Sequence, residues 1–162
     1  MTPKAFLERK WPTLSLAAKI SATNLFTRLN YWIVACGGSP VTTPPTLVGV
    51  ETPGAATIVC TSAAFTFQLA AVPADVTNLR LVIEATEGQS NGVSRAYGKA
   101  AQIKLVSAPS TSAVDIKSDY EAKNGVLGAG APKVFFRYYF VNAVTGEKSG
   151  EMLASATWSQ GE

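Results

Sequence analysis

The chain has 162 residues, of which 47 % are hydrophobic and only 15 % charged, enough apolar material for one domain's core and little charge for its surface. It has no histidine, which removes the usual general base, the Ser-His-Asp and Cys-His arrangements and the commonest metal ligand. The net charge of +3 is uneven: residues 1–35 hold Lys4, Arg9, Lys10, Lys19 and Arg28 against Glu8 alone, while the remainder hold nine basic and ten acidic side chains.

The first predicted element is an amphipathic helix. Leu16, Ile20, Leu25, Phe26, Leu29, Trp32, Ile33 and Cys36 recur at intervals close to three and four, and Lys19, Ser21, Thr23, Asn24, Thr27, Arg28 and Asn30 fall mostly elsewhere around the wheel. Thr13 or Ser15, just after Pro12, can cap its start, and Gly37 supplies the left-handed residue that closes it. The same stretch contains Ile33-Val34-Ala35-Cys36-Gly37, which has the form of a lipoprotein cleavage site. A secretory signal requires an unbroken apolar run of about 7–15 residues. Asn24, Thr27, Arg28 and Asn30 interrupt that run, and Arg28 is costly within a bilayer, so a helix is expected and a transmembrane segment is not.

Within this helix Leu25, Phe26, Leu29, Trp32 and Ile33 make an apolar stripe, and no second helix of comparable length is predicted to cover it. Full burial of such side chains is worth about 1.5–3 kcal/mol each, so the stripe is expected either to dock onto a protein partner or to fold back onto the chain's own body. The stretch "SPVTTPPTL" follows, where three prolines forbid helix and favour a stiff extended connection. The expected organisation is a helical arm over 1–38, a proline-rich linker over 39–46 and a β-rich body over 47–162.

From Thr46 onward the period changes to two. Strands are predicted over 46–51, 56–61, 64–69, 79–86, 95–106, 133–142 and 150–158, with turn-rich segments between them. Leu79, Leu81, Ile83 and Ala85 are expected to face inward, with Arg80 and Glu84 facing water, and Phe136, Tyr138 and Phe140 to share a face opposite Arg137. Between the fifth and sixth strands, Ser112 or Asp115 can cap one or two helical turns carrying Ile116 and Tyr120 and ended by Asn124-Gly125. Thr145-Gly146 between two apolar runs predicts the last hairpin.

Little chemistry is expected. Cys36 and Cys60 lack the spacing of a metal site or redox pair and should be reduced and at least partly buried. The carboxylates Asp115, Asp119 and Glu121, Glu84 and Glu87, and Glu147 and Glu151 lack the spacing of a calcium loop and are expected as solvated surface acids. "GVLGAGAP" at 125–132 leads into a strand and Lys133 is not in a phosphate-loop position, so no phosphate cradle is expected. Arg95, Tyr97 and Lys99 follow directly on Glu84 and Glu87, and no specific nucleic-acid site is expected there. No catalytic, cofactor-binding or metal-binding residue is assigned.

"VFFRYYFVNAVTGEKSGE" resembles the last hairpin of fibronectin type III and related immunoglobulin-like domains, and "PPTLVGVETPGAATIVCT" resembles their first two strands, with Val59-Cys60 standing where a tryptophan is expected. The resemblance covers about residues 44–158 and implies an antiparallel immunoglobulin-like β-sandwich preceded by the helix, a mainly β chain. The whole layout, with "NLFTRLNYWIVACGGSPVTTPP" ahead of one such domain, resembles small proteins of bacterial prophage and phage virion gene sets. That resemblance implies a non-enzymatic capsid-decorating, head or tail subunit, assembled in the bacterial cytoplasm into a virion. Such a subunit would dock through Leu25, Phe26, Leu29, Trp32 and Ile33 onto another copy or another coat protein. The alternative is a bacterial cell-surface binding module whose end loops hold a ligand.

Overall fold

The structure is a computed structural model that describes residues 21–160. The cap candidates Thr13 and Ser15, and Leu16 and Ile20 of the helical pattern, lie outside the described residues. The described residues divide into two compact units, one holding residues 21–50 together with Val141–Lys148, the other holding Glu51–Phe140 and residues 149–160.

In the first unit the helix α1 spans Ala22–Ala35. It starts where the Ser21 hydroxyl accepts the Asn24 N–H at 3.2 Å. It stops at Gly37, whose φ of +87° lets Gly37 N–H reach the Val34 carbonyl and Gly38 N–H reach the Ile33 carbonyl, each at 2.9 Å. This is the left-handed closure expected from the sequence. The chain then returns along the helix because the buried Asn30 side chain takes the place of a strand partner. Its Oδ1 accepts Val41 N–H at 2.6 Å and its Nδ2 donates to the Val41 carbonyl at 3.0 Å and the Phe26 carbonyl at 3.1 Å. Ala22, Leu25 and Leu29 form a small apolar cluster with Phe26 and Val41 against it.

The turn Val141–Lys148 belongs to the same unit. Asn142 Oδ1 accepts the N–H groups of Val144 and Thr145 at 2.8 and 3.0 Å, and Gly146 completes the reversal with φ +76°. A Cβ on Gly146 would overlap the Leu29 carbonyl, so the α1 backbone lies directly on this turn. Residues 46–51, expected as the first strand, are not one. Gly49 has φ +77°, which a strand does not accommodate, and the Glu147 carboxylate accepts Val48 N–H at 3.0 Å and Gly49 N–H at 2.9 Å instead of a neighbouring strand doing so.

The second unit is mainly β, two antiparallel sheets packed as a sandwich. One sheet holds β1 (Ala56–Cys60), β2 (Phe65–Leu69) and β5 (Val114–Asp115) in the order β1-β2-β5. The other holds β3 (Leu79–Ala85), β4 (Ala101–Val106), β6 (Lys133–Asn142) and β7 (Met152–Thr157) in the order β4-β3-β6-β7. Between the sheets Phe65 and Phe67 meet Phe136 at ring-centroid distances of 6.0 and 6.3 Å, and Phe67 meets Tyr138 at 5.0 Å. Leu79, Leu81, Ile83 and Ala85, the inward set that the alternation predicted, are all buried.

Between β5 and β6 runs α2 (Lys117–Asn124), the expected helical crossover. Asp115 does not cap it; its Oδ1 accepts Lys117 N–H at 2.9 Å in a local turn while its backbone pairs with Thr66. Tyr120 on α2 packs its ring at 4.9 Å from Phe65 and donates its hydroxyl to the Thr86 carbonyl at 2.8 Å. The strand expected over 95–106 shortens to β4, because Tyr97–Lys99 form a 3₁₀ turn that lays Tyr97 edge-on to Phe135 at 5.1 Å.

Two glycines with positive φ separate conformational cost from crowding. Gly37→Ala meets open space and should cost only the left-handed penalty, about 1–2 kcal/mol. Gly146→Ala adds a clash with the Leu29 carbonyl and should lose more than about 3 kcal/mol. Urea midpoints of the two variants test this ordering.

Candidate functional site

Leu25, Leu29, Trp32 and Ile33 of the apolar stripe are buried within the chain, and Phe26 is half-buried. The face of α1 that stays open is the neighbouring one. Tyr31 is 60 % exposed and Val34 50 %, and both lie one helical turn from residues of the strip Phe26, Thr27, Asn30 and Ala35. Together with Pro40, which the Asn30–Val41 clamp holds beside the helix, these residues line a shallow apolar groove. Tyr31 is steadied by Trp32, whose ring it meets edge-on at 4.9 Å. Of the eight exposed large apolar side chains among the described residues, five (Tyr31, Val34, Leu47, Val48, Val144) are in the first unit, so that unit is the apolar one on its outside.

The helical period located the stripe but could not say which side of it the chain would cover. A signal was present in Tyr31 and Val34, two apolar residues three apart on the flank otherwise assigned to polar side chains.

The carboxylates are less solvated than expected. Glu84, expected to face water, has a side chain only 12 % exposed, receives Nε of Arg137 and accepts the Tyr139 hydroxyl at 3.0 Å. Its bond to Arg137 raises that guanidinium's pKa, and burial followed by the charge of Glu84 raises that of Tyr139. Asp119 pairs with Lys104 at 2.6 Å, and Glu147 holds Val48, Gly49 and the Thr145 hydroxyl, the last at 2.8 Å. These are structural acids, each placed by a backbone or cation that a sequence pattern does not reveal. Among the described residues no group of three His, Cys, Asp or Glu side chains could hold a metal ion.

A small cavity of about 100 Å³ in the second unit is lined by Phe65, Tyr120, Leu127 and Trp158 with Lys117 and Glu121 among its polar members. The loop after α2 carries Val126 and Leu127 to its edge, and Gly125, Gly130 and Ala131 all have positive φ there. Lys117 Nζ is held by the Ser62 carbonyl at 2.7 Å. No helix among the described residues is long and apolar enough to cross a membrane. In comparisons with known proteins, no family model matches the chain and no curated protein matches it.

Neither cysteine forms a disulfide; Cys36 is half-buried and Cys60 is buried. Burial pushes the Cys60 thiol from 9.0 up to about 11. Because the folded value lies above the unfolded one, the contribution to stability is complete below pH 9.0 and is lost as pH rises to about 11. In the native protein at pH 8, iodoacetamide should therefore modify Cys36 first and reach Cys60 only on unfolding, a sequence that peptide mass spectrometry resolves. Equal labelling of both would contradict the buried placement.

Proposed function

We propose that the protein is a non-enzymatic structural subunit of the kind found in phage virions, at home in the virion after assembly in the bacterial cytoplasm. It meets its partner, another copy or another coat protein, through the outer face of α1. One observation carries this: an apolar groove bounded by Phe26, Tyr31, Val34, Ala35 and Pro40 on a helix whose position is already fixed by the Gly146 turn and the Asn30 clamp. A surface ordered before contact loses little conformational entropy on association, which favours binding through it. The stripe expected to make the contact contributes through Phe26, since the other four members are used inside the chain.

The proposed family for the second unit is immunoglobulin-like, fibronectin type III. Supporting it, the first, second and fifth strands share one sheet and the third, fourth, sixth and seventh share the other, so that the chain changes sheet after β2, β4 and β5.

The double variant Tyr31→Ser/Val34→Asp changes two exposed positions and should leave the folded state within about 1 kcal/mol of the parent. Incorporation into particles purified from the native source should fall at least about tenfold, the loss expected when a central apolar contact is replaced by a charge. Undiminished incorporation, or a native protein found only outside any particle, would overturn the proposal.

The alternative, a cell-surface binding module, is favoured by one feature, the cavity beside Trp158 with Lys117 and Glu121 among its lining. A saturable change in Trp158 fluorescence on titration with monosaccharides, abolished in Trp158→Phe, would move the assignment there.

A further inference from the structure

An asparagine followed by glycine is the pair most open to attack of the main chain on its own side chain, because glycine has no Cβ to shield its nitrogen and restricts the backbone least. The sequence holds two such pairs, Asn91-Gly92 and Asn124-Gly125. Local sequence ranks them equally. Their surroundings do not, since reaction requires a glycine N–H free of a partner and a backbone able to swing that nitrogen onto the asparagine Cγ.

At Asn124 both requirements fail. The residue ends α2, and Gly125 N–H donates to the Glu121 carbonyl at 2.9 Å as the closing bond of the helix. The Asn124 side chain is half-buried, with its Nδ2 out of contact with solvent. Reaction there would need the end of the helix to unwind. Asn91 is placed differently. Ahead of it Gln89 exchanges both main-chain bonds with Lys133, each at 2.8 Å, and behind it Tyr97 lies edge-on to Phe135, so the ends of the segment are fixed to the sheet. Between them Ser90–Val93 form a turn closed by Val93 N–H donating to the Ser90 carbonyl at 2.9 Å, with Asn91 and Gly92 both exposed at its tip. Among the described residues nothing accepts the Gly92 N–H, and nothing lies within 4 Å of the space that a Cβ on Gly92 would fill. The single bond across the turn contributes about 0.5–1.5 kcal/mol net, so the turn opens readily.

We infer that Asn91 is a site of spontaneous deamidation, at which the chain converts its own side chain with water as the only co-reactant. Hydroxide removes the Gly92 amide proton, the Gly92 nitrogen bonds to Cγ of Asn91, and the Cγ–Nδ2 bond breaks, Nδ2 leaving as ammonia after taking up a proton from water. Water then opens the cyclic imide at either carbonyl. Opening at Cγ leaves aspartate; opening at the main-chain carbonyl leaves isoaspartate, whose main chain runs through Cβ and Cγ and is longer by one carbon. Nothing is oxidised or reduced. Either product replaces a neutral amide with a carboxylate on a segment that also carries Arg95 and Lys99, taking one unit from the net charge of +3. The inference concerns the second unit alone and does not rest on the function proposed for α1.

Peptide mass spectrometry of the full chain, incubated folded in mildly alkaline buffer, tests it. Position 91 should gain acid with time, faster as pH rises, as both aspartate and isoaspartate, which separate chromatographically. Position 124 should lag by at least about tenfold while α2 is formed and should catch up in urea, where both pairs are equally free. Gly92→Ala suits the turn, since Gly92 lies outside the left-handed region and faces open space. It should slow conversion at 91 by at least about tenfold with the urea midpoint unchanged. The inference is overturned by an Asn91 that stays intact in the folded chain, by equal conversion at 124, by aspartate formed without isoaspartate, or by a Gly92→Ala variant that reacts like the parent.

Discussion

With hydrogen in place of a side chain at residue 146, the backbone of α1 can rest on the turn that bears it, and much else in the first unit follows from that contact. Among the described residues of the unit, Ala22, Leu25 and Leu29 form a small apolar cluster with Phe26 and Val41 beside it. What supplements it is a set of side chains that satisfy backbone groups no ladder reaches. Asn30 serves both the N–H and the carbonyl of Val41, Glu147 serves two successive N–H groups at Val48 and Gly49, and Asn142 serves two more in the turn. Each replaces a missing strand partner. Breaking one would leave backbone groups without a mate, which costs more than the net value of the bond itself. The groove on the outer face of α1 includes Pro40, the residue before Val41, which Asn30 bonds to the helix.

Features whose signal is local were legible in the sequence. The phase of the helix, its closure at Gly37, the hairpin at Gly146, the inward alternation of β3 and the α2 crossover ending at Gly125 each depend on residues within a few positions of one another. The misses involve distant partners. TLVGVE has the composition of a strand, but Glu147, nearly a hundred residues away, supplies its hydrogen bonds and Gly49 turns the chain. Conversely β5 is two residues long, too short for any periodicity, and exists because Phe67 and Thr66 present an open edge to Val114 and Asp115. The same reasoning covers the acids. Nothing near Glu84 in sequence announces that Arg137 and Tyr139 will close over it.

The site was legible to the same degree. Spacing located an apolar stripe on α1 and named its members, yet whether a stripe becomes core or contact is decided by what the rest of the chain lays against it. Here Leu25, Leu29, Trp32 and Ile33 are covered by the chain itself, and the exposed apolar side chains are Tyr31 and Val34 on the flank. A helix with one apolar face would have ended its role there. This helix carries apolar residues on two adjoining faces, and only the first is needed to hold it in place.

A chain with 15 % charged residues has few means of keeping its surfaces apart from one another, so where it places those charges is informative. In the second unit Lys104 and Asp119 are spent at the β4 edge, and Glu84 and Arg137 are drawn into a half-buried pair, while β7 receives none. In the first unit the one charged residue of α1, Arg28, is exposed but does not line the groove. An uncharged side-chain groove thus remains on α1. Under the proposed function its geometric consequence follows from what fills it: a groove occupied by a different surface of the next subunit is a heterologous contact that extends an assembly, whereas one filled by the same face of a second copy closes at two.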